Sequence, residues 1–448
     1  MPLRNRPGVW LLRKEWQELV TSRSWWVFLI LMGPLVGVSF VSAVRTYAEA
    51  SGLGGSAAGV GEAFSPLIGI WAPTFSACEI AAAFLLPFVA IRVVAGDKQS
   101  GALKLEAQHP MSAVARILAK AAVLSAGWLL ALLAPFTAVL LWKTYGGSIY
   151  WPELLTVAAG HLLNAALIIA LASAAAAMVD HPSTAAIVTL AVTVGTWILT
   201  FVAAVNGGVW ERIVGYTPTA VVAQFQHGLI RLDVVLIAAV LIATGLLLSA
   251  IWIRIGIAQQ RRAYESLTVA AAACVVIFAA SFVNASWDTS ENRMNSFSRA
   301  DEQALRQIRS PLEIEIHLAP EDPRRVDFER RVLSKLIRVV PRVEERYVSA
   351  TSIGLFEQSN PHYGEIWYHL NGRQAMSRAT TPEAALENIY SLAEISPPAE
   401  NDADIFRGHP LTTPPKGAAL VFYLVWPALV ATFAFLVQRR KHERMEVA

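Results

Sequence analysis

The residues able to do chemistry in this chain are few. Only 16% of its 448 residues are Asp, Glu, Lys or Arg, against 55% hydrophobic. One charged stretch lies between two long apolar runs, from Ile91 to Lys120, and reads IRVVAGDKQSGALKLEAQHPMSAVARILAK. It holds Arg92, Asp97, Lys98, Lys104, Glu106, Arg116 and Lys120. Mixed charges at this spacing suit ion pairing and docking rather than bond making. Gly101 and Pro110 break the stretch, and Ala102 to Ala107 is predicted as a short helix between them. A rigid charged element held under a membrane by two spans is a docking surface; a solvated loop is the alternative. A second set, Glu79, His161 and Asn164, lies inside apolar runs. At ~1.5 Å per residue, Glu79 and His161 each sit about 12 Å below the same boundary. Ionisable groups in hydrocarbon are costly and turn toward the bundle interior. Asn164 shares the helical face of His161. The three are expected to form a buried polar cluster lining a pathway or a subunit interface. In the plainer alternative, Glu79 is protonated or reaches the outer surface, and His161 fills a packing gap.

Other chemistries lack their signatures. There is no Gly-x-x-x-x-Gly-Lys-[Ser/Thr], no HExxH, no GxSxG and no Cys/His metal spacing. No catalytic, cofactor-binding or metal-ligating residue is assigned. Cys78 and Cys274 both fall in apolar runs and are expected to be small buried hydrophobes. His317, His362, His369 and His409 are scattered through a polar segment and read as surface or hairpin residues.

The elements that must position these groups are membrane spans. A mean hydropathy of +0.45 is too high for one soluble globular chain. The net charge of +3 supplies no basic face for nucleic acid. Eight runs reach or approach span length: Trp25–Val44, Trp71–Val94, Ala121–Trp142, Leu154–Val179, Thr184–Val205, Val234–Ile253, Leu267–Val283 and Ala418–Val437. Backbone groups in hydrocarbon must pair within their own segment, so these runs should be helices. Before the first, Val9, Trp10, Leu12, Trp16, Leu19 and Val20 fall near one stripe, predicting an amphipathic helix on the membrane surface. Arg4, Arg6, Arg13, Lys14 and Arg23, the Arg92–Lys120 stretch, Arg254, Arg261 and Arg262, and Arg439, Arg440, Lys441 and Arg444 fall on one side. That side is then cytoplasmic, with both termini. The first outside loop, Arg45 to Ile70, is Gly/Ala/Ser-rich.

Residues 284–416 are polar and, by this topology, extracytoplasmic. Ser298 with Asp301 predicts a helix start. Leu312 to Leu318 alternates as a strand. Asp327 to Val340 reads as a helix and Glu345 to Ser349 as a strand. EIWYHLNGRQAM, with Asn371-Gly372 in the middle, predicts a hairpin. Pro382 to Ala393 reads as a helix. The fold class is a polytopic α-helical membrane protein with about eight transmembrane helices and an α/β domain inserted between the seventh and eighth. A cysteine at Ser352 should react with an impermeant reagent from outside.

Several of these stretches resemble known families. Arg92, Asp97, Gly101, Pro110 and Lys120 resemble the first cytoplasmic loop of ABC-2-type (GldF-like) transporter permeases, which more often have Glu at the position of Asp97. Lys14, Glu15, Ser22 and Arg23 resemble their elbow helix. Pro218, Phe225 and Gly228 resemble the hairpin before their last core span. Asp288, Ser290, Arg293, Ser296, Phe297, Ser298, Leu305, Ile308, Pro311 and Ile314 resemble the opening of a gliding-motility-type (GldG-like) auxiliary component, as do GEIWYHLNGR and PEAALENIYSL further on. The second α/β domain of larger members is missing here. The resemblance implies an elbow helix (1–24), a six-helix permease core (25–260), a seventh span (261–283), a shortened auxiliary domain (284–416), and an eighth span with a basic tail (417–448). It implies a coupling role for Arg92, Asp97, Lys98, Gly101, Pro110 and Lys120.

The function expected is the permease subunit, and no enzyme, of an ABC transporter in a bacterial inner membrane. ATP and Mg would be held by a separate ATPase dimer. A second permease copy or a paralogue, membrane lipid and an extracytoplasmic protein are the other expected partners. A mechanotransmission complex without solute transport, or a membrane receptor or enzyme, are the alternatives. The substrate is not legible.

Overall fold

The computed structural model describes residues 7–52, 64–206, 209–319, 322–348, 362–398 and 406–446. Arg4 and Arg6, the 53–63 part of the first outside loop, and Ser352 lie outside the described residues. Among the described residues, eight helices are long and apolar enough to cross a membrane, one on each expected run. The chain is therefore a multi-pass helical membrane protein. It divides into two compact units, the first comprising Met1–Trp197, Tyr216–Ala285 and Gly408–Ala448, the second Ile198–Gly215 and Ser286–Arg407.

The first unit opens with α1 (Pro7–Thr21) and α2 (Arg23–Gly52). Then come α3 (Leu67–Ser100), the short α4 (Ala102–Glu106) and α5 (Ala113–Thr144). Both α3 and α5 outrun the hydrophobic stretches that predicted them. Arg92, Asp97 and Lys98 are thus helical residues of α3, and Arg116 and Lys120 belong to α5. The loop expected from Ile91 to Lys120 shrinks to residues 101–112. Its expected short helix forms, after Gly101 ends α3 at φ 76°. That left-handed turn is what a glycine permits at a helix end. Next are α6 (Trp151–Met178) and α7 (Pro182–Asn206), which passes into the second unit after Trp197. The hairpin helix α8 (Pro218–Gln226), α9 (Leu232–Trp252) and α10 (Gln259–Ala280) follow.

Small residues let these helices approach. A Cβ at Gly245 of α9 would stand 3.0 Å from the Ala170 backbone of α6. A Cβ at Gly160 would stand 2.3 Å from Phe225 Cβ, so glycine lets α8 lie directly on α6. Such close approaches substitute for a hydrophobic driving force that lipid cannot provide. Cys78 is buried, as expected. Cys274 is exposed, contrary to expectation, because little of α10 is covered by protein.

The second unit has a four-stranded sheet in the order β2-β1-β3-β4. After α11 (Arg299–Leu305) come β1 (Leu312–Ile316), a helical segment α12 (323–339), β2 (Val343–Tyr347), β3 (Ile366–Leu370), β4 (Arg373–Ser377) and α13 (Pro382–Ala393). β1 pairs parallel with β2 and antiparallel with β3. β3 and β4 form the expected hairpin, with Asn371 and Gly372 at φ 54° and 75°. Both central residues at positive φ match the twist of a two-residue hairpin. Alternation turns Leu312, Ile314 and Ile316 of β1 and Ile366, Tyr368 and Leu370 of β3 into one core, closed by Phe328, Leu336 and Ile389. Ser298 Oγ accepts from Asp301 N at 3.1 Å and caps α11. Tyr390 of α13 donates to Asp301 Oδ1 at 2.6 Å.

The last helix, α14 (Ala418–Arg440), returns to the first unit. It packs on α2 at two glycines one turn apart. A Cβ at Gly33 would stand 2.2 Å from Trp426 Cδ1, and one at Gly37 2.5 Å from Phe422 Cβ. Trp426 Nε1 also donates to Leu29 O at 2.8 Å. Small residues four apart form a groove for a facing helix, and here the chain's own last span fills it.

Candidate functional site, a buried charge network

The amphipathic helix α1 does not present its faces as its composition suggests. Val9, Trp10, Leu12 and Trp16, four of the six residues of its apolar stripe, are exposed. Toward the protein it turns the row Leu11, Glu15, Leu19, and all three are buried. The row lies against α5, where a Cβ at Gly127 would meet Leu19 Cδ2 at 3.1 Å. Glu15 is thereby carried, 0% exposed, into the protein. On α5, Lys120 falls in the buried row Ile117, Lys120, Leu124, and is 2% exposed.

These two rows bring together groups from four helices. Lys120 Nζ donates to Glu15 Oε1 at 2.7 Å, to Asp97 Oδ2, and to Val93 O at 3.4 Å. Lys14 Nζ lies 3.2 Å from Asp97 Oδ1, 3.3 Å from Glu15 Oε1 and 3.2 Å from Glu18 Oε1. It also donates to Glu106 Oε1. Asp97 is the last buried residue of α3, and Glu106 the one buried residue of α4. The network thus fastens α4 to α1, and both to the ends of two spans.

Three carboxylates and two ammonium groups form this core. Burial raises the Glu15 carboxyl above its usual range, against the pull of Lys120 and Lys14. Burial lowers the Lys14 ammonium, but its hydrogen bond to Glu106 and the charges of Glu15, Asp97 and Glu106 outweigh this and hold it above its ordinary value. Oε2 of Glu15 and Oε2 of Glu106 are buried without a hydrogen-bond partner among the described residues. One oxygen each from Glu15, Asp97 and Glu106 lie within 4.8 Å of one another, a donor set of the kind hard cations accept. Lys14 and Lys120 already neutralise most of that charge, so the set reads as an ion-pair network. Buried pairs of this kind contribute little net stability when whole, but breaking one leaves a stranded charge.

The residues singled out from sequence divide. Asp97 and Lys120 enter the network. Lys98 turns to α6, donating to the carbonyls of Ala177 at 3.1 Å and Val179 at 2.7 Å, and so caps that helix C-terminus. Gly101 turns the chain into α4, and Pro110 is exposed beyond it. Arg92 lines a separate cleft. Lys14 and Glu15 stand out in the sequence only through the elbow-helix resemblance and Glu106 only as one charge of the loop, and nothing local marks any of the three as paired with Asp97 or Lys120. The signal that exposes Glu15 and Lys120 is a charge in mid-row among leucines and isoleucines at helical spacing.

The intramembrane residues take separate partners. Glu79 hydrogen-bonds Trp197 of α7. His161 is fully buried, its Nε2 accepting from Gln226 Nε2 of α8 at 3.3 Å, with the Phe75 ring 5.6 Å away. Asn164 is buried one turn along. Among the described residues no ion pair joins Glu79 to His161.

Around the network the outer surface of α4 is open. Leu105 is 66% exposed, and Lys104, Gln108 and His109 are exposed beside it. Trp10 of α1 approaches His109 at 5.4 Å between ring centroids. No family model, no curated protein and no solved structure matches this chain.

Proposed function

We propose that this chain is the membrane subunit of an ATP-driven ABC-type transporter, an exporter whose ATPase is a separate chain. One observation carries the reading. A short helix, α4, is locked from behind by a buried ion network and offers an exposed apolar and basic face in front. Such an element transmits force, because its buried Glu106 cannot move without moving α1, α3 and α5. On this reading the ATPase dimer docks on Leu105, Lys104 and His109. Asp97, Lys120, Lys14 and Glu15 pass its motion to the spans. Gly101 and Pro110 bound the docking element, and Lys98 ties it to α6.

The finer organisation belongs to the same proposal. The side carrying α4 and both termini is cytoplasmic in a bacterial inner membrane, by the distribution of Arg and Lys. Residues 284–416 form an extracytoplasmic α/β domain inserted between the seventh and eighth spans. It binds a protein or cargo and catalyses nothing. The permease-like and GldG-like resemblances support this arrangement. Two chains, identical or paralogous, assemble about an axis along the membrane normal; the sparsely covered α7 and α10 offer surface for lipid or for the second copy. The mechanotransmission reading keeps its place because residues 286–407 hold a complete core of their own.

The test is reconstitution of the full chain with its candidate ATPase in proteoliposomes. Stimulated hydrolysis and ATP-dependent efflux are expected. Stimulation without flux of any co-purified compound would favour mechanotransmission, and no binding of the ATPase would end both readings.

A further inference from the structure

A cleft of about 480 Å³ opens between α3 and the start of α7, near the end of α3 that carries the charge network. Its lining mixes apolar and polar residues. Phe88, Ile91, Ala95 and Ala186 supply apolar lining. Arg92, Gln99 and Ser183 supply the polar groups among them. Arg92 is exposed and, among the described residues, has no carboxylate partner. The acids nearest in sequence are committed elsewhere: Asp97 is buried against Lys14 and Lys120, and Asp180 lies 3.4 Å from Lys98. The cleft therefore keeps an unbalanced positive charge. The first turn of α7 adds to it. Pro182 and Ser183 open that helix, and the His181 carbonyl already accepts from Ala185 N. The N–H groups of such a first turn have no carbonyl within the helix and bear partial positive charge.

An unpaired guanidinium beside apolar walls, at the end of two membrane spans, matches one ligand class. We propose that this cleft binds a single anionic phospholipid, its phosphate on Arg92 and the first turn of α7, its acyl chain along Phe88, Ile91 and Ala186. Basic pockets between spans recognise anionic head groups in this way. The volume lies in the range of small-molecule sites, large enough for a head group with the first part of a chain. Gly96 leaves the cleft open: a Cβ there would meet nothing within 4 Å. The lipid would join α3 to α7, and so sit beside the helix that delivers Asp97 to the network. This inference needs the membrane placement alone and is independent of any ATPase.

The test uses the purified full chain in detergent, titrated with phosphatidylglycerol, with phosphatidylcholine, and with inorganic phosphate as competitor. Bound lipid is read by native mass spectrometry. Phosphatidylglycerol should be retained more tightly than phosphatidylcholine. Arg92→Gln should weaken it about fivefold, the scale of one basic residue at an anionic membrane, and leave phosphatidylcholine unchanged. Arg92→Lys should keep most of the preference. Gly96→Leu should displace the lipid with Arg92 intact, by filling the chain's path. Equal retention of the two lipids, or of phosphatidylglycerol by wild type and Arg92→Gln, would overturn the proposal. Displacement by millimolar phosphate, with Gly96→Leu inert, would make it an anion site and overturn the lipid assignment. Melting curves of each variant in phosphatidylcholine alone separate loss of lipid from loss of fold.

Discussion

Lys120 and Glu15 are separated by 105 positions in the chain, yet Lys120 Nζ lies 2.7 Å from Glu15 Oε1, with both side chains closed to solvent. The pair joins an amphipathic surface helix to the end of a membrane span. It also sets a condition on the fold, since neither charge has a route to water while α1 is seated on α5.

Removing one partner should therefore cost far more than the pair contributes whole. Lys120→Met leaves Glu15 and Asp97 facing each other with Lys14 alone. We expect a loss of about 3–5 kcal/mol, the usual scale for a stranded buried charge. Glu15→Gln combined with Lys120→Met should recover part of it. Unfolding of the four members of this cycle in detergent measures the coupling. Strictly additive losses would show the two groups to be independent.

The face of α4 should separate folding from docking. Leu105 is 66% exposed and holds nothing in place. Leu105→Asp should leave the unfolding free energy within about 0.5 kcal/mol of wild type, as exposed substitutions do. The same change should abolish stimulation of the partner ATPase. A variant stimulated as well as wild type would remove α4 from the docking surface.

Crowding between α2 and α14 supplies a third expectation. A Cβ at Gly37 would stand 2.5 Å from Phe422 Cβ, so Gly37→Ala should cost about 1–3 kcal/mol, the scale of an overpacked interface. Phe422→Ala in the same chain should relieve it. Thermal unfolding in detergent, with trypsin cleavage of the basic tail as a local probe, reads both effects. Full tolerance of Gly37→Ala by otherwise wild-type protein would show that α14 is loosely held.

Acid should act on the second unit through Asp322. Hydrogen bonds from Arg324 and Tyr363, with the Arg324 charge, outweigh desolvation and hold its carboxyl down at about 2, against 3.8 ordinarily. A depressed carboxyl contributes stability that is present above its unfolded value and lost as pH falls through its folded one. Amide protection factors in β1 and β3, corrected for the intrinsic exchange rate at each pH, should fall between pH 4 and pH 2, with a flatter slope in Asp322→Asn. Identical slopes would assign acid sensitivity to other carboxylates.

The sequence by itself determined what depends on local chemistry. Eight apolar runs became eight long helices because backbone in hydrocarbon has no partner but itself. Asn371-Gly372 made the hairpin because both positions need positive φ. Gly101 ended α3 for the same conformational reason, and Ser298 capped α11 through its own hydroxyl. Tertiary structure alone decided where charge is buried. Glu15 sits on a helix whose apolar stripe would turn it outward if the helix lay alone on a membrane, and it is buried because α5 presents Lys120 opposite. Glu79 and His161 match in depth along their helices, but they take Trp197 and Gln226 because helix rotation, set by packing at Gly160 and its neighbours, has no local code. Cys274 is apolar in context and still exposed, because hydropathy reports the preference for lipid or protein over water and cannot tell one from the other.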